Sequence, residues 1–413
     1  MSPAVQAFEP GRIQTVSAPH RQERLYRCTV ALIGLATPIQ FEMMGILYVP
    51  EILLACVALW ALVGGLGNPA FWRRPFVTML ACLAVTMAAY MVADLSLGTE
   101  PSNLLRGWAR IVFLGSNFVG LYFLCRREPL NIVVYSVASA VGALGYLWWS
   151  GRLLEDWKFG ASAPVTVLAA SLAPILAPRG ALAGSVALAA IGVAHILLDS
   201  REIGGNCLLA GVLLLARCSS VLRMKSFSYA VLGALTIGGI GALLYAYVLT
   251  DETYGQRRQL SNAWRTASLV TAVDGILESP WIGNGSQANN FELQSRYDSI
   301  FAERTGARYH GARTDTSTFS PHSQILQSWF EAGIFGTVFF LYLGWRLLRA
   351  VHSCIFRREL DAFSVLFAYC LLRATWHLFF SPFAGLARMD IAVAAVIVCV
   401  LAAERRTPAE FAA

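Results

Sequence analysis

Apolar runs long enough to cross a lipid bilayer recur along this chain from about Cys28 to Ala403, and no other feature restricts its fold as severely. Inside hydrocarbon each backbone N–H and C=O must be satisfied within its own segment, so such runs fold as helices packed on one another. The runs lie at 28–47, 49–67, 76–95, 108–125, 130–149, 161–177, 180–198, 204–217, 227–249, 322–347, 361–380 and 387–403. The expected fold is all-α, a polytopic membrane bundle of about twelve transmembrane helices. With 56% hydrophobic and only 14% charged residues over 413 positions, a set of soluble domains is excluded.

Basic residues set the orientation. Arg73–Arg74, Arg126–Arg127, Arg179, the group Arg217, Arg223 and Lys225, and the group Arg346, Arg349, Arg357 and Arg358 fall in alternate connections. Positive charge marks the cytoplasmic side, so these loops are expected inside, together with an N-terminal arm at 1–27 and a tail at 404–413. Nine spans then occupy 28–249, a large loop at 250–321 faces the periplasm, and three spans follow at 322–403. The first apolar run begins after a polar stretch and flows into further spans, so no cleaved leader is expected. The net charge of +7 is accounted for by this topology, and nucleic acid is not an expected partner. Nine cysteines are scattered through spans or their inner ends, with none in the large loop, which excludes a disulfide-stapled exterior. Neither CxxC nor HExxH occurs, and no metal or other cofactor is expected.

Chemistry concentrates where the polar loop runs into the tenth span, at SPHSQILQSWFEAGIFG, Ser320 to Gly336. Ser320 is the expected N-cap and Pro321 the first-turn residue, which puts His322 at the positive end of the helix dipole. An anion is favoured there, and the same dipole keeps the imidazole neutral and available as a base. Earlier in the loop, apolar residues at helical spacing (Trp264, Leu269, Val273, Leu277) predict an amphipathic helix over about 260–277, ended by the turn SPWIGNGS. In LLDSREIGGN, Ser200 and Arg201 stand at the outer mouth of two consecutive spans.

Three of these features resemble one family, the O-antigen ligases and related polysaccharide polymerases. His322-Ser323, nine residues, then Gly333-Ile334-Phe335-Gly336 is similar to a His-[Asn/Ser/Gln]-x9-Gly-x-x-Gly pattern. Arg265 with Leu269 resembles an Arg-x3-Leu element followed by a Pro-x-x-Gly-x-Gly turn, and Ser200–Arg201 resembles a Ser-Arg pair at the end of a mid-chain span. The likeness covers about 185–345. It implies a membrane glycosyltransferase whose donor is a glycan on undecaprenyl diphosphate and whose acceptor is lipid A core or another lipid-linked glycan, in a membrane-lipid setting. Ser323, where many relatives have Asn, exchanges an amide for a hydroxyl, and Arg257 and Arg258 miss the Arg-x3-Trp spacing to Trp264.

Such a donor already carries its leaving group, so the enzyme must hold a diphosphate and deprotonate an acceptor hydroxyl. Arg201 and Arg265 suit the first task, since a guanidinium binds phosphate in two-pronged fashion and stays charged. His322 suits the second, with inversion at the anomeric carbon following from direct displacement. Ser200, Ser323 and His377 are further pocket candidates. Against each stands a plainer role: a helix-start histidine as a surface residue, Arg201 as a lipid-phosphate anchor, Arg265 as an exposed loop cation, and His377 and His195 as satisfied bundle residues.

Glu331, nine residues beyond His322, falls on the opposite helix face, in the membrane, where a carboxylate needs a partner. Arg373 is the expected one, with Gly333 and Gly336 permitting close helix approach. Arg106 and Arg110, one turn apart at an outer helix end, read either as residues that steer an anionic glycan or lipid headgroup or as interfacial anchors, and His310 has no supporting pattern. The rival class is a transporter; against it, the polar residues gather at one outer mouth and no inverted repeat is evident.

Overall fold

The computed structural model describes residues 21–42, 45–65, 71–153, 157–176, 180–198, 200–217, 255–286, 291–305, 321–357, 362–382 and 385–403. These build α1 (Arg21–Leu35), a hairpin of β1 (Gln40–Glu42) and β2 (Ile46–Tyr48), α2 (Val49–Gly65), α3 (Arg74–Leu97), α4 (Pro101–Cys125) and α5 (Leu130–Trp149). A π-helical turn at Trp157–Ala161 then leads into α6 (Ser162–Leu176), α7 (Ala181–Leu197) and α8 (Arg201–Ala216). After these come α9 (Gly255–Glu278) and α10 (Phe291–Thr305), then α11 (Gln324–Gly336), α12 (Val338–His352), α13 (Ala362–Phe380) and α14 (Ala387–Ala403). Among the described residues, five helices are long and apolar enough to cross a membrane: Arg74–Leu97, Pro101–Cys125, Leu130–Trp149, Val338–Ile355 and Phe363–Phe380. Val49–Gly65, Ser162–Leu176 and Ala181–Leu197 are shorter apolar helices. The expected span at 227–249, together with Ser320 and His310, lies outside the described residues.

Two expected spans are differently built. The run 28–47 is not one helix: α1 ends at Leu35, and the remainder turns into the antiparallel hairpin, with Gln40 opposite Tyr48. The run 322–347 is broken at Ala332–Gly333, where the backbone leaves helical geometry. Apolar composition is continuous across both breaks, so hydropathy alone could not mark them.

Local signals explain the turn between α3 and α4. Gly98 takes a left-handed conformation (φ 63°) that ends α3, and Pro101 at the start of α4 has its ring torsion preset for a helix. The last helix, α14, is central. Its residues from Ile391 to Leu401 are all buried, as a helix apolar on every side must be. Its first turn is tied down by Arg388, whose Nε and Nη2 each donate to Glu51 at 2.9 Å, while Nη2 also reaches the Ile46 carbonyl at 3.2 Å. Asn117 adds a hydrogen bond to Glu51 at 3.3 Å, so this buried carboxylate is paired and solvated by protein.

Candidate active site at a broken helix

The break in α11 is where two of the sequence motifs meet, the Gly333–Gly336 element and the 280–285 turn. Once the backbone departs from the helix, the Phe330 and Glu331 carbonyls need new donors. The 280–286 turn supplies them: Asn284 N–H donates to Phe330 O at 2.8 Å and Gly285 N–H to Glu331 O at 2.9 Å, while Ile334 N–H donates back to Pro280 O at 3.0 Å. Trp329 Nε1 also donates to Pro280 O, and Asn284 Nδ2 to the Gly275 carbonyl, each at 3.0 Å. Gly333 has φ 65°, and a Cβ there would overlap the Trp281 carbonyl. A Cβ on Gly283 would lie 2.6 Å from the Glu331 and Ala332 backbone. The turn glycine and the helix glycine are thus two halves of one joint. Gly333 admits a loop rather than a neighbouring helix, which corrects the packing role expected for it. Gly336 lies against its own helix, with Ser328 O 2.6 Å from the added Cβ.

Glu331 hangs from this joint into the bundle. Arg110 Nη2 donates to both of its carboxylate oxygens at 2.8 Å, Tyr90 donates its hydroxyl at 2.8 Å, and Gln327 Nε2 donates at 3.2 Å. Arg373 is therefore not its partner; that guanidinium meets Asp390 at 3.0 Å. Nor is Arg110 interfacial. Because α4 begins at Pro101 and not near 108, Arg110 sits roughly 14 Å along its helix and is buried. Above this pair, Asp94 receives the Ser286 N–H at 2.6 Å, the Ser286 hydroxyl at 2.8 Å and Trp108 Nε1 at 2.8 Å. The 280–286 turn is strapped to the C-terminal end of α3 and the N-terminal part of α4.

At the other end of α11 the cap is Ser323, whose Oγ accepts from Leu326 N–H at 3.3 Å. The helix therefore starts at Gln324, and His322 stands just ahead of it instead of within the first turn. Ser323 also donates to the Leu378 carbonyl at 3.2 Å, pinning the segment to the end of α13. His322 is partly buried, and its Nδ1 is buried with no hydrogen-bond partner among the described residues. Burial first, and the nearby Arg265 charge second, hold its pKa below the ordinary histidine value. The imidazole is neutral at pH 7 as the sequence implied, though the leading cause is desolvation rather than the dipole. Arg265, on α9, is exposed and close enough to His322 for its charge to be felt.

The α9 helix forms where the spacing predicts one, and the residues that pack are not the four that mark it. Trp264, Leu269, Val273 and Leu277 are exposed, while Ala263 and Ala267 pack on Phe301, and Ala272 and Ile276 on Phe330 and Leu293. Small residues on the inner face bring α9 close enough to α11 for Arg265 to sense His322.

A second polar group adjoins Leu378. His377 places Nδ1 2.9 Å from the Ser381 hydroxyl and 3.7 Å from Glu202, and Nε2 3.2 Å from Asp390. Arg201 is the first residue of α8, next to Glu202, with Ser200 as N-cap. Ser200 is buried, donates to the Ser162 hydroxyl at 3.2 Å, and so faces α6. His195 is a bundle histidine, its Nε2 2.8 Å from Thr166 Oγ1. A chain of contacts thus runs from the segment of His322 and Ser323 through Leu378 to His377, Glu202 and the start of α8, with Arg265 near enough to act on His322 through its charge. Asp94, Tyr90, Ser286, Glu202, Asp390 and Gln324 escaped the sequence reading. For the acids the available signal was a carboxylate at the edge of an apolar run, which must find a cation or donors.

No curated protein matches this chain. Residues 164–341, from α6 into α12, match the family model described as O-antigen ligase. That segment holds Arg201, Arg265, His322 and the joint at Gly333, and over it the likeness read from the sequence holds: this part of the chain is similar to the O-antigen ligase family.

Proposed function

We propose that the chain is an O-antigen ligase-type glycosyltransferase that moves a glycan from undecaprenyl diphosphate to a hydroxyl of lipid A core at the periplasmic face of the inner membrane. The observation that carries this reading is His322: a neutral imidazole with a buried, unpartnered Nδ1, beside the Arg265 charge and one residue ahead of a capped helix. In this reading His322 takes the acceptor proton, the acceptor oxygen attacks the anomeric carbon with inversion, and the diphosphate leaves with the bonding pair. Arg265, Arg201 and the α11 N-terminus neutralise the departing charge, a task that a metal performs elsewhere. Ser323 and His377 line the same mouth. The loop at 250–321 would cover the acceptor, and the lipid carrier would enter between spans.

The test is a deletion strain complemented with wild type, H322A or R201K at matched protein levels. Surface polysaccharide is compared with the undecaprenyl-linked pool. Long chains stranded on the carrier in the variants support ligation. Single repeats on lipid A core would assign polymerisation instead. Normal pools in the variants and in the deletion strain would end the glycosyltransferase reading.

A further inference from the structure

The inward face of α11 carries polar residues at helical spacing, Gln324, Gln327, Ser328 and Glu331, and all four are buried. Three are satisfied from within the protein. Gln327 donates to Glu331, the Ser328 hydroxyl donates to the Gln324 carbonyl at 2.6 Å, and Glu331 receives Arg110 and Tyr90. Gln324 differs. Its side chain is fully buried, and among the described residues neither Oε1 nor Nε2 has a hydrogen-bond partner. A carboxamide desolvated at both ends is unfavourable, and Leu or Met would fill the same volume without that cost. Two residues earlier, His322 Nδ1 is buried and unpartnered as well, while Ser323 between them is committed to its cap and to Leu378. The unpaired groups cluster where the proposed reaction takes place.

We propose that Gln324 is a sugar-binding residue of this site, its Nε2 donating to, and its Oε1 accepting from, hydroxyl groups of the glycan brought to His322. The amide itself selects this ligand. Phosphate oxygens only accept, so they would serve Nε2 and leave Oε1 facing negative charge; sugar hydroxyls both donate and accept and satisfy both ends. The hydroxyls belong either to the donor glycan or to the acceptor. The inference rests on the glycosyl-transfer reading above and adds to it a residue that selects the sugar.

The experiment uses the purified full chain in lipid nanodiscs, with an undecaprenyl-diphosphate-linked O-antigen glycan as donor and lipid A core as acceptor. Wild type, Q324M and H322A are compared, with Q324L as a second variant if Q324M does not accumulate. The expected result is a melting temperature for Q324M equal to or above wild type, because the unliganded protein loses no hydrogen bond. Alongside it, kcat/KM should fall about 10- to 100-fold. A rise in KM confined to the acceptor assigns the hydroxyls to the acceptor, and one confined to the donor assigns them to the donor. A melting temperature that falls together with turnover would make Gln324 a packing residue and overturn the proposal. Unchanged kinetics in Q324M while H322A is inactive would also overturn it and leave the transfer reading standing. If wild type does not exceed H322A with this donor and acceptor, and polysaccharide is normal in the deletion strain, the transfer reading fails and takes the role of Gln324 with it.

Discussion

Arg110 donates from one nitrogen, Nη2, to both carboxylate oxygens of Glu331, 2.8 Å to each, and so ties the middle of α4 to the residue just ahead of the break in α11. The two groups are 9% and 1% exposed, which makes the pair costly to break from one side. Removing one partner strands the other charge, at about 3–5 kcal/mol, whereas replacing both with apolar residues of similar volume is often near neutral. We expect R110M and E331M each to reduce folded protein and melting temperature sharply, and R110M/E331M to recover a large part of the loss. Detergent-solubilised protein followed by tryptophan fluorescence during heating measures this. E331Q also separates the reaction classes: a transporter using Glu331 would keep normal folded levels while losing transport.

The joint at Gly333 predicts an ordering among glycine variants. At Gly333 an Ala meets both a left-handed backbone and the Trp281 carbonyl, and at Gly283 (φ 86°) it meets a left-handed backbone and the chain at Glu331. The conformational cost alone is about 1–2 kcal/mol, and the overlap adds to it by forcing the loop away. G333A and G283A should therefore be the most damaging. G145A, where an added Cβ has nothing within 4 Å and the position is inside α5, should be neutral or slightly stabilising. Yield of monodisperse protein after size-exclusion chromatography gives the ranking.

These contacts also mark how far the sequence could be read. The bundle was legible because lipid permits few backbone solutions, and the 280–285 turn because Pro280, Gly283 and Gly285 announce it. His322, Arg265 and the two glycines stand out in the sequence through their spacing. What the spacing could not say is that the turn around Gly283 packs on the backbone at Glu331–Gly333, since segments so far apart in sequence meet only through tertiary folding. The break in α11 was hidden for the same reason: a run of uninterrupted hydropathy stays one helix until a loop competes for its carbonyls. The pairing of Glu331 failed on a single boundary. With α4 drawn from 108, Arg110 stood at the surface; with Pro101 as the true first residue, it is deep enough to be the partner. Ser323 in place of Ser320 as the cap moved His322 out of the helix, and with it the argument that placed Glu331 on the opposite face.

Asp94 is expected to act as the buckle of the 280–286 turn. It holds Ser286 through the backbone N–H and the hydroxyl, and Trp108 through the indole N–H. D94A removes three acceptor contacts and leaves buried donors unpaired, so residues 280–286 should lose protection by one to two orders of magnitude in hydrogen exchange, about 1–3 kcal/mol. D94N keeps an acceptor oxygen and should retain an intermediate level. Wild-type protection in D94A would mean that the Gly285–Glu331 and Asn284–Phe330 hydrogen bonds hold the loop by themselves.

His322 supplies a pH test whose direction is fixed by its surroundings. Burial and the Arg265 charge both disfavour the imidazolium, so the folded-state pKa lies below the ordinary value of about 6.5. The neutral ring's contribution to stability is complete above that value and is lost as the pH falls through the lowered one. Activity that needs the unprotonated ring should follow the same course, with an acid limb displaced below pH 6.5 and a plateau at neutral pH. R265Q removes one of the two causes, and the limb should move up toward 6.5 while burial keeps it from arriving fully. R265K leaves the charge, so its limb should stay near that of wild type even as KM for the diphosphate donor rises, because a lysine cannot make the two-pronged phosphate contact. Profiles of kcat/KM against pH for the three proteins separate the roles. Coincident limbs in wild type and R265Q would remove His322 as the titrating base, since its pKa cannot be indifferent to the loss of a neighbouring positive charge.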